Sequence, residues 1–357
     1  MGGNLLKVWN LPDKRATTEE YKRIGSAVRI ELNHDAHPYN ADGAVPRATI
    51  APCVRSKDSH GDIDILFGLP NAKHSEDIWW GIYDSGFSTE SFAEYIKHMY
   101  GFEPHQNSNV FSFPVEGIQV DVTFLTLEEF ESAVTYTSWG DLGNLMGRIY
   151  HKMGLHYGHS GLQFWIRQGM YDANVTWSDS DHIYEKFILS RHPRAIFELG
   201  GFDYDRWMKG FDTEKDAFDF VINSKYFNPD LFAFENLNHT NRTRNRKRGM
   251  YMRFIEYLAT VTTPTKYQFL SKEVYSLVLQ DKFPPLKTAI SKYRFEHELQ
   301  KQYKAKINGK IVAEWLCTTD GPLIGQVMKD IKLRWTPIEA IQLSDDVIRK
   351  YAFHWVQ

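Results

Sequence analysis

From His60 to Leu69 the chain reads His-Gly-Asp-Ile-Asp-Ile-Leu-Phe-Gly-Leu, polar and apolar positions alternating at first and then giving way to a continuous apolar run. Strand side chains alternate faces, so Asp62 and Asp64 project together while Ile63 and Ile65 point the other way. Two like charges so close repel, and they cost stability unless solvent or a cation compensates them. In STESFAEYIKHMYG the period lengthens. Phe92, Tyr95, Ile96 and Met99 fall on one helical face, Ser91 with Glu94 suits a capping box, and Gly101 suits a C-terminal stop. Next, NVFSFPVEGIQVDVTFLT holds two strand-like runs flanking Pro114 to Gly117, the pattern of a hairpin. In the second run Gln119, Asp121 and Thr123 share one face, with Val120, Val122 and Phe124 on the other. Beyond about residue 175 the pattern turns mainly helical, with breaks at Pro193, Gly200 and Gly210. The class expected is α+β: a small mixed sheet with helices, followed by a mainly α-helical C-terminal region.

Composition narrows the function classes. The 357 residues are 42% hydrophobic and 15% aromatic, which suits a globular chain long enough for two domains. No run of about 18 apolar residues occurs, so a soluble, cytoplasmic protein without a membrane partner is expected. Cys53 and Cys317 are the only cysteines, too few for a disulfide framework or a cysteine-rich zinc site, and they fit a reducing compartment. A net charge of −3 does not favour nucleic acid globally, but one local run does. In NRTRNRKRGMYMRF, Arg242, Arg244, Arg246, Lys247, Arg248 and Arg253 occur with no acid among them, a pattern that can track a phosphate backbone. The His-Asp pair in NHDAH lacks partner motifs, and His34 and His37 read as surface or loop residues. No P-loop or Ser-x-x-Lys pair is present.

The acids carry the chemistry. Asp62, Asp64 and Asp121, two on one strand and a third on another, make a hard-oxygen set suited to Mg²⁺, which keeps its other positions for water or substrate phosphate. Two such ions, with Mn²⁺ as a substitute, would serve both the attacking and the leaving oxygen of a phosphoryl displacement. Asp121 would hold the ion at the attacking hydroxyl or take its proton.

The segment APCVRSKDSHGDIDILF, from Ala51, resembles the nucleotidyltransferase motif of the DNA polymerase beta superfamily, family X above all. There a Gly-Ser pair opens a short helix, basic residues follow, and Ser-Gly leads into Asp-x-Asp. Arg55, Ser59, Gly61, Asp62 and Asp64 occupy those places here, while Ala51 and Pro52 stand where the family has Gly-Ser. Asp121 in QVDVTFL matches the third family carboxylate. TYTSWGDLGNLMGRIYHKMG is similar to the family X stretch that faces the incoming nucleotide: Tyr136, Asp141, Asn144 and Arg148 match in order, with Trp139 in place of the turn glycine. Tyr136 and Asp141 would then pack near base or sugar, and Asn144 would bond nucleotide or primer; for these residues a plain amphipathic helix capped by Asp141 is an equal alternative. KINGKIVAEWLCTTDGPLIGQVMKDIKLRW resembles the helical tail of tRNA CCA-adding nucleotidyltransferases through Asn308, Gly309, Gly321, Pro322 and Gly325. In physical terms Pro322 suits a first helical turn, Gly325 permits close packing, and Leu323, Val327, Met328 and Ile331 form a buried stripe.

The resemblance implies a palm of the polymerase-beta type and a division into an N-terminal extension packed on the catalytic domain (1–45), the nucleotidyltransferase domain (46–175) and a helical nucleic-acid-binding tail (176–357). It implies an ATP-binding or other NTP-binding enzyme of tRNA processing that moves a nucleoside monophosphate to an RNA 3′ hydroxyl and releases pyrophosphate. A family X-like DNA polymerase or terminal transferase is the nearest rival. A catalytically lapsed nucleic-acid-binding protein is a rival of another class, and an enzyme modifying a protein or small-molecule hydroxyl is disfavoured by the basic run.

Overall fold

The computed structural model describes residues 4–35, 47–69, 89–171, 182–262 and 266–354. His37 and the domain boundaries expected near 45 and 175 lie outside them. A short first strand β1 (Ala16–Thr17) leads into α1 (Thr18–Asp35), and β2 (Arg47–Ile50), β3 (Ser59–His60) and β4 (Asp62–Leu69) follow. After α2 (Thr89–Tyr100) come β5 (His105–Asn107), β6 (Val110–Val115) and β7 (Ile118–Thr126), then α3 (Leu127–Thr137) and α4 (Leu142–Lys152). The central sheet has the order β2-β4-β7-β6-β5, with β4 and β7 parallel and the other pairs antiparallel. The class is α+β, a mixed sheet followed by a helical C-terminal region, as expected.

The sheet is covered on both faces, but unevenly. On one face Ile63, Ile65 and Phe67 of β4 and Val120, Val122 and Phe124 of β7 pack with Tyr21, Ile24 and Val28 of α1 and Phe92 and Ile96 of α2. On the other, α3 seals only the later part of the strands, where Phe130 and Ala133 meet Leu66 and Leu125. Alternating burial therefore holds through Ile65 and gives way to full burial from Leu66. The acids stand where the cover of α3 stops.

Local details depart from the sequence pattern in several places. The helix α2 begins at Thr89, so Ser91 lies inside the helix and not at its entry. Met99 is exposed, whereas Phe92 and Ile96 are buried, and Gly101 ends the helix at φ +77° with its N–H on the Lys97 carbonyl at 3.0 Å. The hairpin turn is the pair Glu116–Gly117, both with positive φ, as a two-residue turn matching strand twist requires. Pro114 lies inside β6 opposite Gln119, beyond the stretch that β5 pairs, where its missing N–H costs the ladder least.

Two compact units emerge: Met1–Trp165 with Ile188–Ser276, and Ile166–Phe187 with Leu277–Gln357. A hairpin of β8 (Leu155–Gly158) and β9 (Gly161–Arg167) follows α4, and β10 (Ile183–Ser190) is a strand where a helix was expected. Its burial alternates at half-exposed positions, which hides the period of two. Pro193 starts rather than breaks a helix, α5 (Pro193–Gly200), which ends on Gly201 in the left-handed region; α6 (Tyr204–Met208) and α7 (Glu214–Ile222) come next. The basic run forms α8 (His239–Asn245) and the start of α9 (Gly249–Thr260), and α10 (Lys272–Lys282) follows.

The second unit is mainly helical: α11 (Pro284–Lys306), α12 (Gly309–Leu316), α13 (Gly321–Arg334), α14 (Pro337–Gln342) and α15 (Asp345–Phe353). Tyr303, Val312, Val327, Ile331, Ala340 and Ile348 are its buried centre, with Leu323 and Met328 packed on the margin. Asn308 caps α12 through its side-chain oxygen, which accepts from the N–H groups of Lys310 and Ile311, and Pro322 sits in the first turn of α13. Gly325 faces open space, so close packing is not its role. Among the described residues no helix is long and apolar enough to cross a membrane.

One glycine fixes how α3 meets α4. A Cβ on Gly143 would lie 2.2 Å from the Tyr136 carbonyl oxygen and 2.8 Å from its ring. Backbone cannot yield there. Gly143→Ala is expected to cost about 1–3 kcal/mol, read as a fall in thermal midpoint, and an unchanged midpoint would show that the two helices do not meet this closely.

Candidate metal centre

Parallel pairing sets Asp64 directly opposite Asp121 and Asp62 opposite Gln119. The alternation of β4 brings Asp62 to the same face, and one carboxylate oxygen from each acid lies within 4.8 Å of the others. Together they could hold a metal ion. Hydrophobic register decides this meeting: Ile63 against Val120 and Ile65 against Val122 are fully buried on the opposite face, and a slip of β4 by one residue would turn Asp62 and Asp64 into the core.

The neighbours hold Asp121 in place. The side-chain amide of Gln119 donates to both Asp121 oxygens, at 2.8 and 3.0 Å, and Gln119 is itself fixed by the Leu5 N–H on its Oε1 at 3.1 Å. Burial raises the Asp121 pKa, while hydrogen bonds from Ser112 and Gln119 oppose the rise. Asp64 is pushed up to about 7, first by burial and then by the charges of Asp62 and Asp121, with Lys57 acting in the other direction. Such a cluster is costly without a counter-charge. Hard oxygens and shared repulsion on a face that α3 leaves uncovered are the donor set of a site that could hold a metal ion.

The loop before Asp62 is held from several sides. Ala51 donates its N–H to the Asp64 carbonyl at 3.0 Å and accepts from the Tyr21 hydroxyl at 3.0 Å. The Trp139 N–H reaches the Pro52 carbonyl at 2.6 Å. Arg55 is exposed, but its guanidinium bonds Asp212 Oδ1 at 2.6 Å and the Lys209 carbonyl at 2.6 Å. Ser59 in β3 accepts from Arg15 Nε at 2.8 Å, and Gly61 is the buried bend between β3 and β4. His60, between them, is fully buried against the Tyr21 ring at 4.1 Å, and burial takes its pKa down to about 4.

The residues of the Tyr136 to Arg148 block lie around the α3–α4 turn. Trp139 and Gly140 both have positive φ; a tryptophan tolerates this because its ring is packed edge-on against Trp207 and Phe211. Tyr136 packs edge-on against Tyr157 and His159. Asp141 occupies the N-cap position of α4 without capping it, because its carboxylate instead pairs with Arg248. Asn144 donates to Asn245 Oδ1 at 3.2 Å, and Arg148 Nε to the Leu231 carbonyl at 3.2 Å.

Much of the basic run is thus engaged internally. Arg248 holds Asp141, Arg253 holds Glu214 through two bonds of 2.6 and 2.7 Å, Arg242 donates to the Leu237 carbonyl at 2.9 Å, and Arg246 lies over the Phe234 ring. Arg244 and Lys247 are exposed and have no ion-pair partner among the described residues. Arg248 and Asp141 are mostly buried, so Arg248→Ala is expected to cost about 1–3 kcal/mol by stranding the carboxylate, and Arg248→Ala with Asp141→Asn to cost less than the single change. Thermal midpoints of the three variants measure this, and strict additivity would refute the coupling.

The sequence pattern gave little notice of Gln119, Ser112, Tyr21 and Lys57. Only Gln119, sharing a strand face with Asp121, carried a readable signal. No protein-family model matches this chain, and no curated protein matches it. Among solved structures similar to it is Leishmania infantum polymerase beta in a ternary complex, at 14% identity and a TM-score of 0.38, covering 56% of this chain and 84% of that one.

Proposed function

We propose that the chain is a metal-dependent nucleotidyltransferase that moves a nucleoside monophosphate from an NTP to a 3′ hydroxyl. The hydroxyl oxygen forms a bond to the α-phosphorus, the bond to the bridging oxygen breaks, and pyrophosphate leaves. The observation that carries this reading is the convergence of Asp62, Asp64 and Asp121 from two parallel strands onto one open face. Asp62, Asp64 and Asp121 are the residues that would hold Mg²⁺, which would supply charge against the phosphate oxygens and lower the pKa of the attacking hydroxyl. Asp62 and Asp64 would hold the cation, and Asp121, whose oxygens accept from Gln119, would help to hold it or accept the hydroxyl proton. Positioning and electrostatics then do most of the work, since phosphoryl transfer asks for little covalent chemistry from protein.

The acceptor on this reading is an RNA 3′ end of tRNA type. The tail motif around Asn308 and Pro322 supports it, and so does the basic run, where Arg244 and Lys247 are exposed and available to phosphate. The test is transfer from each labelled NTP and dNTP, in Mg²⁺, to tRNA lacking its 3′ end, generic RNA, gapped DNA or no acceptor. Label on trimmed tRNA supports the reading. Label on gapped DNA alone would replace the RNA acceptor with a DNA one, and no transfer with intact nucleic-acid affinity would leave a binding protein.

A further inference from the structure

A hollow of about 540 Å³ lies within the first unit, away from the acids, between the edge strand β2 and the helices α3 and α6. The alternation of β2 sends Ala48 into the core beside α1 and leaves Arg47 and Thr49 on the side of α3. Arg47 pairs with Gly68, four residues beyond Asp64, so the hollow begins roughly 13 Å along the sheet from the acids. Phe130, Val134, Trp207 and Met208 give it an apolar wall. Trp207 is rigid there, only 7% exposed and held edge-on by Trp139 and Phe197, while Met208 stands at the rim, 59% exposed. Opposite the wall are two donors that the fold holds in place without using up. The Arg47 guanidinium lies over the Phe130 ring at 4.9 Å, and its one ion-pair contact among the described residues, with Glu131, is 3.7 Å, too long for a hydrogen bond. Asn33 accepts the Ala48 N–H through Oδ1 at 2.8 Å, which fixes its amide and leaves the NH₂ group with no hydrogen-bond partner among the described residues.

We infer that this hollow binds a small planar aromatic anion, its ring against Val134, Trp207 and Met208 and its carboxylate or phosphate on the donors of Arg47 and Asn33. Ligand sites of this size are mostly apolar, with a few fixed polar groups that orient the guest. A guanidinium fork matches the paired oxygens of a carboxylate or phosphate, and the cation–π contact with Phe130 already sets its direction. Glu131, beside Arg47, opposes an anion, so removing its charge should tighten the binding. The hollow shares no residue with the acid cluster, and this binding stands whether or not the acids carry out nucleotidyl transfer.

The experiment is calorimetric titration of the full chain in chelator, which silences metal-dependent binding at the acids. The probes are indoleacetate and AMP as ring-bearing anions, indole as the ring alone, inorganic phosphate as the anion alone, and tryptamine as a ring-bearing cation. At least one ring-bearing anion is expected to bind more tightly than indole, phosphate or tryptamine, and the better of the two tells carboxylate from phosphate. Arg47→Gln is expected to weaken that anion by about tenfold or more, Glu131→Gln to strengthen it by about twofold to fivefold, and Met208→Glu to remove most of the affinity. All three side chains are more than half exposed, so the thermal midpoints should stay near that of the wild type. A wild type that binds neither anion, a preference for tryptamine, or binding indifferent to Arg47→Gln and Met208→Glu overturns the inference and leaves the nucleotidyl-transfer reading standing.

Discussion

In chelator at pH 8, Asp64→Asn will melt on the order of 5 °C higher than the wild type, and on the proposed function it will lose nucleotidyl transfer in Mg²⁺ by about a thousandfold. The two effects have one cause. Burial, with Asp62 and Asp121 alongside, pushes Asp64 up to about 7 in the folded chain, from an ordinary value of 3.8. A carboxyl whose folded pKa is raised gives its full stabilisation below the unfolded value and loses it as pH rises through the folded one. The charge is therefore costly at pH 8 and absent at about pH 4, where the advantage of the asparagine variant should vanish. A bound divalent cation offsets the same cost, so Mg²⁺ should raise the wild-type midpoint and leave that of Asp64→Asn nearly fixed. A variant that melts lower than the wild type in chelator at pH 8 would show that the three acids carry no unrelieved repulsion.

Phe124→Ala is expected to remove about 3–5 kcal/mol of stability, the largest loss from any single truncation considered. Its ring is buried on the face opposite the acids, 4.8 Å from Phe92, 5.1 Å from Phe111 and 5.5 Å from Phe67, each edge-on. Those partners come from β4, α2 and β6, so the truncation leaves a cavity at the junction that keeps β4 and β7 in register. Phe295, by contrast, is 62% exposed in α11, and Phe295→Ala should change stability by no more than about 0.5 kcal/mol. Denaturant midpoints of the two variants give the comparison. Similar losses would mean that the aromatic cluster is not the keystone of the sheet.

The candidate site was legible where local period alone sufficed. Alternation in β4 put Asp62 and Asp64 on one face, and the alternation of Gln119, Asp121 and Thr123 prepared the third acid for the same side. Turn chemistry was legible to within two residues: the hairpin came, but its turn is Glu116–Gly117 and Pro114 belongs to the strand. The strand Ile183–Ser190 carries no clean period of two, because both of its faces are partly exposed and neither selects for apolar residues. Ser91 and Gly325 show the limit of short motifs, since each fits a pattern whose geometry the surrounding chain does not supply.

The sequence by itself determined the α+β class, the acid pair, the third acid and the helical character of the C-terminal region, because periods of 2 and 3.6 are properties of neighbouring residues. Tertiary structure alone decided that Asp64 faces Asp121, that Arg55 is spent on a residue 157 positions away, and that Arg248 is spent on Asp141 at a separation of 107. Charges look free in a sequence because it lists them without their partners; which ones stay uncommitted depends on distances that only the packed chain sets, as the pairing of Arg55 with Asp212 shows.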